Sequence, residues 1–208
     1  MDLKYSEKKE NIINKILEIE WDFFQKAQNT GGRAECQDNR EEFVIMRKSQ
    51  WETFPLNVLD SYLKDLETAE KERKNIVVEK YARMMKYSAP AEYEKIKGFL
   101  KEIPKEKMKI VDQITEIYLS WEKEMTLKYP KLTDKGRPLY SKDDTPEFTS
   151  IETYLKGELL SYSLNTLNLY FEYIKECITK NINLAEINLQ NIVKEKGYSS
   201  LADVENKV

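Results

Sequence analysis

Apolar residues recur every three or four positions along most of the chain, which is the period of an amphipathic α-helix. No segment shows the alternating apolar and polar positions of a β-strand that is buried on one face. We therefore predict an all-α fold, an irregular bundle of about seven to eight helices. The clearest helical stretches before residue 129 cover about residues 7–28, 38–51, 55–66, 76–87, 91–102 and 105–128.

The C-terminal third begins with an irregular segment. Residues 129–149 contain three prolines and a glycine, and a loop of this length in a compact domain is usually functional or mobile. Ser150 can cap one long helix to about Lys180, and two short helices complete the chain. We expect one helical domain, 1–208, with a motif-bearing part at about 7–128, the loop 129–149 and C-terminal helices in 150–208.

A pair of adjacent glycines interrupts the helical pattern after the first helix. Gly31 and Gly32 are two of only six glycines in the chain, and polar residues surround them. Because a helix ends here and the chain must turn sharply, we predict a positive φ at one of the two. If this protein has a site, the sequence places it at this loop.

The absence of histidine excludes several kinds of site. Ser-His-Asp and Cys-His catalysis need an imidazole, as do Glu-x-x-His di-iron bundles and His-Glu-x-x-His zinc helices. Two cysteines are too few for a four-thiolate zinc site, so a Mg²⁺ or Mn²⁺ site made of carboxylates alone is what stays possible. The sequence assigns no metal ligands and leaves the cofactor unknown.

The net charge and the hydropathy of the chain argue against two kinds of binding partner, nucleic acid and membrane. The net charge is −3 and acidic and basic residues are interspersed, which does not fit a nucleic-acid surface. No apolar run approaches the roughly 20 residues of a membrane span, and the N-terminus lacks the apolar region of a signal peptide. Two cysteines without a disulfide framework fit a reducing compartment, so we expect a cytoplasmic protein. The oligomeric state is left open.

Several short motifs in the first half of the chain resemble one known family. That family is bacterial and is catalogued as domain of unknown function 4125. The resemblance covers roughly residues 15–90, and it implies a bacterial cytosolic protein and adds weight to residues 29–50. It implies no particular chemistry. The motifs are Glu18-Ile-Glu-Trp21, Gly31-Gly-Arg-Ala34, Cys36-Gln-Asp38, Ile45-Met-Arg47, Ser49-Gln50 and Glu79-Lys-Tyr-Ala-Arg-Met-Met85.

Three residues are candidates for catalysis. Cys36 near a helix start and cationic side chains is a possible nucleophile or redox thiol, although it can also simply pack the loop onto the bundle. Asp38 and Glu18 are possible acid–base groups, since without histidine this role falls to carboxylates, Tyr, Lys or Cys. Alternatively, Asp38 or Asn39 caps the second helix, and Glu18 pairs with an arginine.

A larger set of polar and aromatic residues is predicted to bind a ligand. Three of the six arginines lie within fifteen residues beside the glycine loop, and free amides at a helix start attract anions. We predict that Arg33 or Arg47 contacts an anion, from a ligand or from this chain. A polar stripe on the first helix leads into the loop, and a second group lies on the fourth helix. The predicted ligand-binding residues are Trp21, Gln25, Asn29, Gly31, Gly32, Arg33, Gln37, Arg47, Gln50, Glu79, Tyr81 and Arg83.

Three functions remain open from the sequence. The first is binding of a small polar or anionic molecule in a pocket built from residues 18–50 and 79–85, with or without catalysis. The second is a non-catalytic module for protein interaction, shaped by the glycine loop. The third is a thiol or redox role for Cys36.

Overall fold

A computed structural model describes residues 3–28, 32–145 and 148–207. These residues form eleven α-helices, three short 3-10 helices and no β-strand, so the predicted all-α class is confirmed. The predicted number of seven to eight helices is too low. The helices are α1 Leu3–Gln25, α2 Arg40–Glu52, α3 Leu56–Lys71, α4 Ile76–Ser88, α5 Pro90–Ile96, α6 Lys105–Lys128, α7 Pro130–Asp134, α8 Ile151–Ser161, α9 Leu164–Thr179, α10 Leu184–Glu195 and α11 Leu201–Lys207.

Polar side chains at the N-termini explain where many helices begin. Asn39 accepts a hydrogen bond from the amide of Glu42 at 3.0 Å, and Asn75 accepts one from the amide of Val78 at the same distance. Each bond satisfies an amide that has no partner within its helix. Of the two residues that could cap α2, Asn39 is therefore the one whose side chain does so.

The predicted single helix from Ser150 to about Lys180 is wrong, because the helix is interrupted at Tyr162 and Ser163. Tyr162 has an extended backbone, and the Ser163 hydroxyl caps α9. The Lys107 ammonium donates to the carbonyl oxygen of Tyr162 at 2.6 Å, and Asp65 accepts from the amide of Ser163 at 3.0 Å. Tertiary partners thus satisfy the backbone groups that the break exposes.

The described residues of the segment 129–149 are less irregular than the sequence predicted. They contain α7 and a 3-10 helix at Ser141–Asp143. Asp144 accepts hydrogen bonds from the amide of Ser150 and the hydroxyl of Thr153, and this ties the segment to the start of α8.

Most helices pack around one apolar core. Trp51, Leu66, Ile114 and Leu167 are completely buried in it. The α1 helix packs against α2, α3 and α4, while α8 lies against α4 and α6, and α10 lies against α2 and α6. No helix in the described part of the chain is both long and apolar enough to cross a membrane. This packing leaves a space between α2, α4, α6, α8 and α10.

Candidate functional site

The space between these five helices is a cavity of about 450 Å³. Helices α2 and α8 contribute the most lining residues, and the 3-10 helix Glu35–Asp38 lies at its edge. Ligand cavities of small molecules have volumes in this range and combine apolar walls with a few polar groups. The lining residues are Phe24, Cys36, Asn39, Glu42, Phe43, Met46, Arg47, Gln50, Phe54, Tyr81, Tyr118, Glu122, Arg137, Ile151, Tyr154, Leu155, Glu158, Leu159, Tyr162, Tyr170 and Asn188.

Four buried charges form a cluster beside the cavity. The Arg47 guanidinium donates from Nε to Glu20 Oε2 at 3.0 Å and from Nη2 to Glu20 Oε1 at 2.6 Å, which is a bidentate pair. Its Nη1 donates to Glu158 Oε2 at 3.0 Å. The Lys80 ammonium donates to the same Glu158 oxygen at 2.8 Å. Two carboxylates therefore balance two cations in the protein interior.

Neutral side chains complete the hydrogen bonding of the two carboxylates. Glu20 accepts from the Tyr62 hydroxyl at 2.8 Å and from the Trp51 indole at 3.2 Å. Glu158 accepts from the Tyr162 hydroxyl at 2.9 Å and from the Gln50 amide at 2.8 Å. Buried charges are tolerated when they are paired and hydrogen-bonded in this way.

The cluster fixes the ionisation of Glu158. Burial alone would raise the pKa of this carboxyl, but the charges of Arg47 and Lys80 and two hydrogen bonds hold the pKa well below its ordinary value. For Arg47 the directions are opposite. Burial alone would lower its pKa, but the negative charges of Glu158 and Glu20 hold it well above its ordinary value. Both cations are thus occupied by carboxylates of the chain, and neither is free to receive an external anion.

Glu122 is only partly buried, and unlike Glu20 and Glu158 it has no hydrogen-bond or ion-pair partner among the described residues. It lies on α6 and lines the cavity. Burial raises its pKa from 4.5 to about 7. A carboxyl group with this pKa can be either protonated or ionised near neutral pH, so it can accept or release a proton there.

A second polar group without a partner faces the same cavity. Asn188 on α10 has a buried side-chain oxygen that accepts no hydrogen bond from the described residues. Buried side-chain oxygens are usually hydrogen-bonded, so an orphan of this kind at a cavity wall indicates a place where a donor belongs. Because α6 and α10 pack against one another, Glu122 and Asn188 belong to adjoining walls.

Aromatic rings form much of the remaining wall. Phe24 and Phe43 stack with ring centroids 5.6 Å apart, and Tyr81 lies 6.2 Å from Phe24. The Lys80 ammonium lies 3.6 Å from the centroid of the Tyr154 ring, and the Arg137 guanidinium lies 4.8 Å from it. The wall is therefore suited to flat apolar groups and to cations.

Four residues predicted from the sequence line this cavity: Cys36, Arg47, Gln50 and Tyr81. Cys36 is an exposed free thiol at its edge. The predicted contact between Arg47 and an anion is confirmed, and the anions are Glu20 and Glu158 of the chain itself.

Other predicted residues build the loop instead of facing the cavity. Gln37 is buried and donates to the carbonyl oxygens of Phe24 and Ala27. Arg33 donates to Asp38 at 2.8 Å and to Gln25, and Gln25 donates to the Gln37 carbonyl oxygen at 2.7 Å.

The loop also contains the glycine pair. The prediction of a positive φ is confirmed for Gly32, where φ is 93°. Gly31 and Asn29 lie outside the described residues. The hydrogen bonds between Gln37 and the end of α1 hold the 3-10 helix against that helix.

The remaining predicted residues lie apart from the cavity. Glu18 accepts from Arg40 and lies in an open groove along α1 and α3 that is lined largely by polar and charged side chains. Trp21 packs against Phe43, with ring centroids 5.0 Å apart. Arg83 donates to Glu79 at 2.6 Å and to a backbone carbonyl oxygen. Glu18 is thus paired with Arg40, and Glu79 with Arg83, so these side chains bond to other groups of the chain outside the cavity.

Four charged residues at or beside the cavity were not predicted from the sequence: Glu20, Lys80, Glu122 and Glu158. All four lie on helix faces that otherwise carry buried apolar residues. Charged residues at core-facing positions were the available signal. Within the described residues, no group of three or more Cys, Asp or Glu side chains is arranged to hold a metal ion.

The fold and the cavity define an all-helical protein with an open pocket beside a balanced buried charge cluster. The family described as "Protein of unknown function (DUF4125)" matches residues 10–206, and the chain belongs to this family. The match extends over the C-terminal helices, well beyond the part on which the sequence resemblance rested. No curated protein and no solved structure shows significant similarity to the chain.

Proposed function

We propose that this protein binds a small organic molecule in the cavity between α2, α4, α6, α8 and α10. The observation that carries the proposal is the cavity itself, about 450 Å³ inside a helical core, with aromatic walls and unpartnered polar groups. The cavity opens to solvent beside Met46 and Cys36, and a cleft with aromatic walls and convergent polar groups favours a ligand.

The buried charge cluster supports the same proposal because it holds two cavity-lining side chains in fixed positions. Arg47 and Glu158 line the cavity, and their partners fix both side chains from behind. A ligand that contacts them meets groups that are already ordered, so less conformational entropy is lost on binding. Since Arg47 is neutralised by its own carboxylates, the ligand is better described as polar with an apolar body than as an anion.

We infer the cellular location of the protein from its family resemblance and its cysteines. The chain acts as one helical domain in the cytoplasm of a bacterium, since its family resemblance is bacterial and both cysteines are free thiols. An exposed thiol such as Cys36 persists in a reducing compartment. Cell fractionation of the native host would test the cytoplasmic location. Protein found in the periplasmic or secreted fraction would contradict it.

The experiment is a ligand screen with a blocked cavity as its comparison. Met46 lines the cavity and is 44% exposed, so Met46→Trp can fill the entrance with little effect on the core. Leu127→Trp is the matched control, because Leu127 is an exposed apolar residue on α6 away from the cavity. Small aromatic compounds would be screened by ligand-observed NMR, and freshly purified protein would be examined by native mass spectrometry.

We expect compounds that bind the wild type and Leu127→Trp but bind Met46→Trp at least tenfold more weakly. Equal binding to all three proteins would place the ligand outside the cavity. An absence of binding, together with no co-purified small molecule, would refute the proposed function and favour the interaction module.

A further inference from the structure

Two of the groups that lack partners in the cavity are acceptors. The Asn188 oxygen accepts nothing from the described residues, and Glu122 has neither a donor nor a counter-charge among them. An ionised carboxylate can only accept hydrogen bonds, and it has room for several. A ligand that complements both groups must therefore bring donors, and a cationic donor suits the carboxylate best.

The other charged side chains around the cavity already have partners within the chain. Glu42 pairs with Lys196 at 2.8 Å at the surface, and Arg47 and Glu158 belong to the buried cluster. Arg137 is exposed, donates to a backbone carbonyl oxygen at 2.9 Å and lies over Tyr154. None of these groups reaches Glu122 with a hydrogen bond or an ion pair, so the negative charge of this side chain is available to a ligand.

The tyrosine rings strengthen the preference for a cation. Tyr118 lies one turn before Glu122 on α6, and Tyr154 and Tyr170 line the same cavity. The faces of such rings attract cations, and Tyr154 already holds the Lys80 ammonium at 3.6 Å. An acid among aromatic faces is the chemistry with which proteins recognise organic ammonium groups.

We propose that the cavity selects a protonated amine with a flat aromatic body, whose ammonium group donates to the Glu122 carboxylate and the Asn188 oxygen. This inference rests on the proposed function and names its class of ligand. The aromatic body lies against the tyrosine and phenylalanine walls.

The state of Glu122 makes binding dependent on pH. Burial raises its pKa to about 7, so roughly half of the empty protein carries a proton there at neutral pH. The ammonium group binds the ionised form and displaces that proton into the solvent. Affinity should therefore rise about tenfold between pH 6 and pH 8, as the ionised fraction rises.

The test uses three probes with one indole body: tryptamine, its alcohol tryptophol, and indole-3-propionate. Affinities would be measured by isothermal titration at pH 6 and pH 8 on the wild type, Glu122→Gln and Asn188→Ala. Titrations near pH 7 in buffers of different ionisation enthalpy would count the protons released. Glu122→Gln is nearly isosteric, so its fold should be retained.

We expect tryptamine to bind the wild type at least tenfold more tightly than tryptophol at pH 8, with proton release near pH 7. Glu122→Gln should lose this preference and the pH dependence, and Asn188→Ala should weaken tryptamine more than tryptophol. Equal binding of tryptamine and tryptophol would overturn the amine inference and leave the cavity function standing. Preference for indole-3-propionate would also overturn it, and binding of none of the three would count against both proposals.

Discussion

Replacing Glu122 by Gln removes an acid that is costly to ionise inside the protein. Its pKa rises from 4.5 to about 7 because of burial. At about 1.4 kcal/mol per pKa unit, ionising this partly buried group in the folded state costs at most about 3 kcal/mol more than in the unfolded chain. Gln keeps the shape of the side chain and carries no charge at any pH.

The sign of the effect follows from the raised pKa. Between pH 4.5 and pH 7 the folded protein holds the Glu122 proton while the unfolded chain has lost it. The stabilisation from this group is therefore complete below pH 4.5 and is lost as the pH rises through 7. Relative to the wild type, Glu122→Gln should gain at most about 3 kcal/mol in the free energy of unfolding between pH 4.5 and pH 8.

Urea denaturation followed by far-UV circular dichroism at pH 5, 6, 7 and 8 would measure this difference. Glu116→Gln is the matched control, because Glu116 is exposed on the same helix. Its stability should follow the wild type at every pH. If Glu122→Gln also follows the wild type, then Glu122 is not desolvated as described, and the reasoning about its pKa fails.

Three further substitutions test the charge cluster, the packing and the loop. Arg47→Lys should destabilise the protein by about 2 kcal/mol or more in urea denaturation, because a Lys ammonium cannot reproduce the bidentate pair with Glu20 while it also bonds to Glu158; unchanged stability would contradict the role of the cluster. Gly157→Ala should cost about 1–3 kcal/mol, since its Cβ would lie 2.5 Å from Met84 Cγ, and an unchanged melting temperature would refute this close packing of α4 and α8. Gly32→Ala should cost about 1 kcal/mol because of its positive φ, whereas Gly98→Ala, with open space around it and no positive φ, is the control; equal costs would contradict the loop geometry.

The helices themselves were largely predictable from local signals. The bounds expected for α6, about residues 105–128, agree with the structure, because Pro104 and the apolar period are both local features. The break at Tyr162 was not predictable, since the groups that stabilise it, Lys107 and Asp65, come from distant parts of the chain. Residue spacing cannot reveal such tertiary hydrogen bonds.

The site was predicted only in part because charged residues were assigned to the solvent. On α6, Val111, Thr115, Tyr118, Glu122 and Met125 alternate spacings of four and three residues, which places them on one face. Val111 and Met125 are completely buried. A carboxylate in such a stripe was visible in the sequence, but its lack of a partner depends on which helices pack against it. Only the three-dimensional arrangement shows that.

The buried charge cluster also constrains how the chain folds during synthesis. Glu158 is the acid that pairs with both Lys80 and Arg47, which precede it by 78 and 111 residues. While the chain is being translated, α1 to α4 leave the ribosome long before α8. Until α8 arrives, Lys80 lacks its acid, and closing the early helices over an unpaired ammonium is unfavourable. The N-terminal helices should therefore stay loosely associated on the ribosome and consolidate only after residue 158 has emerged.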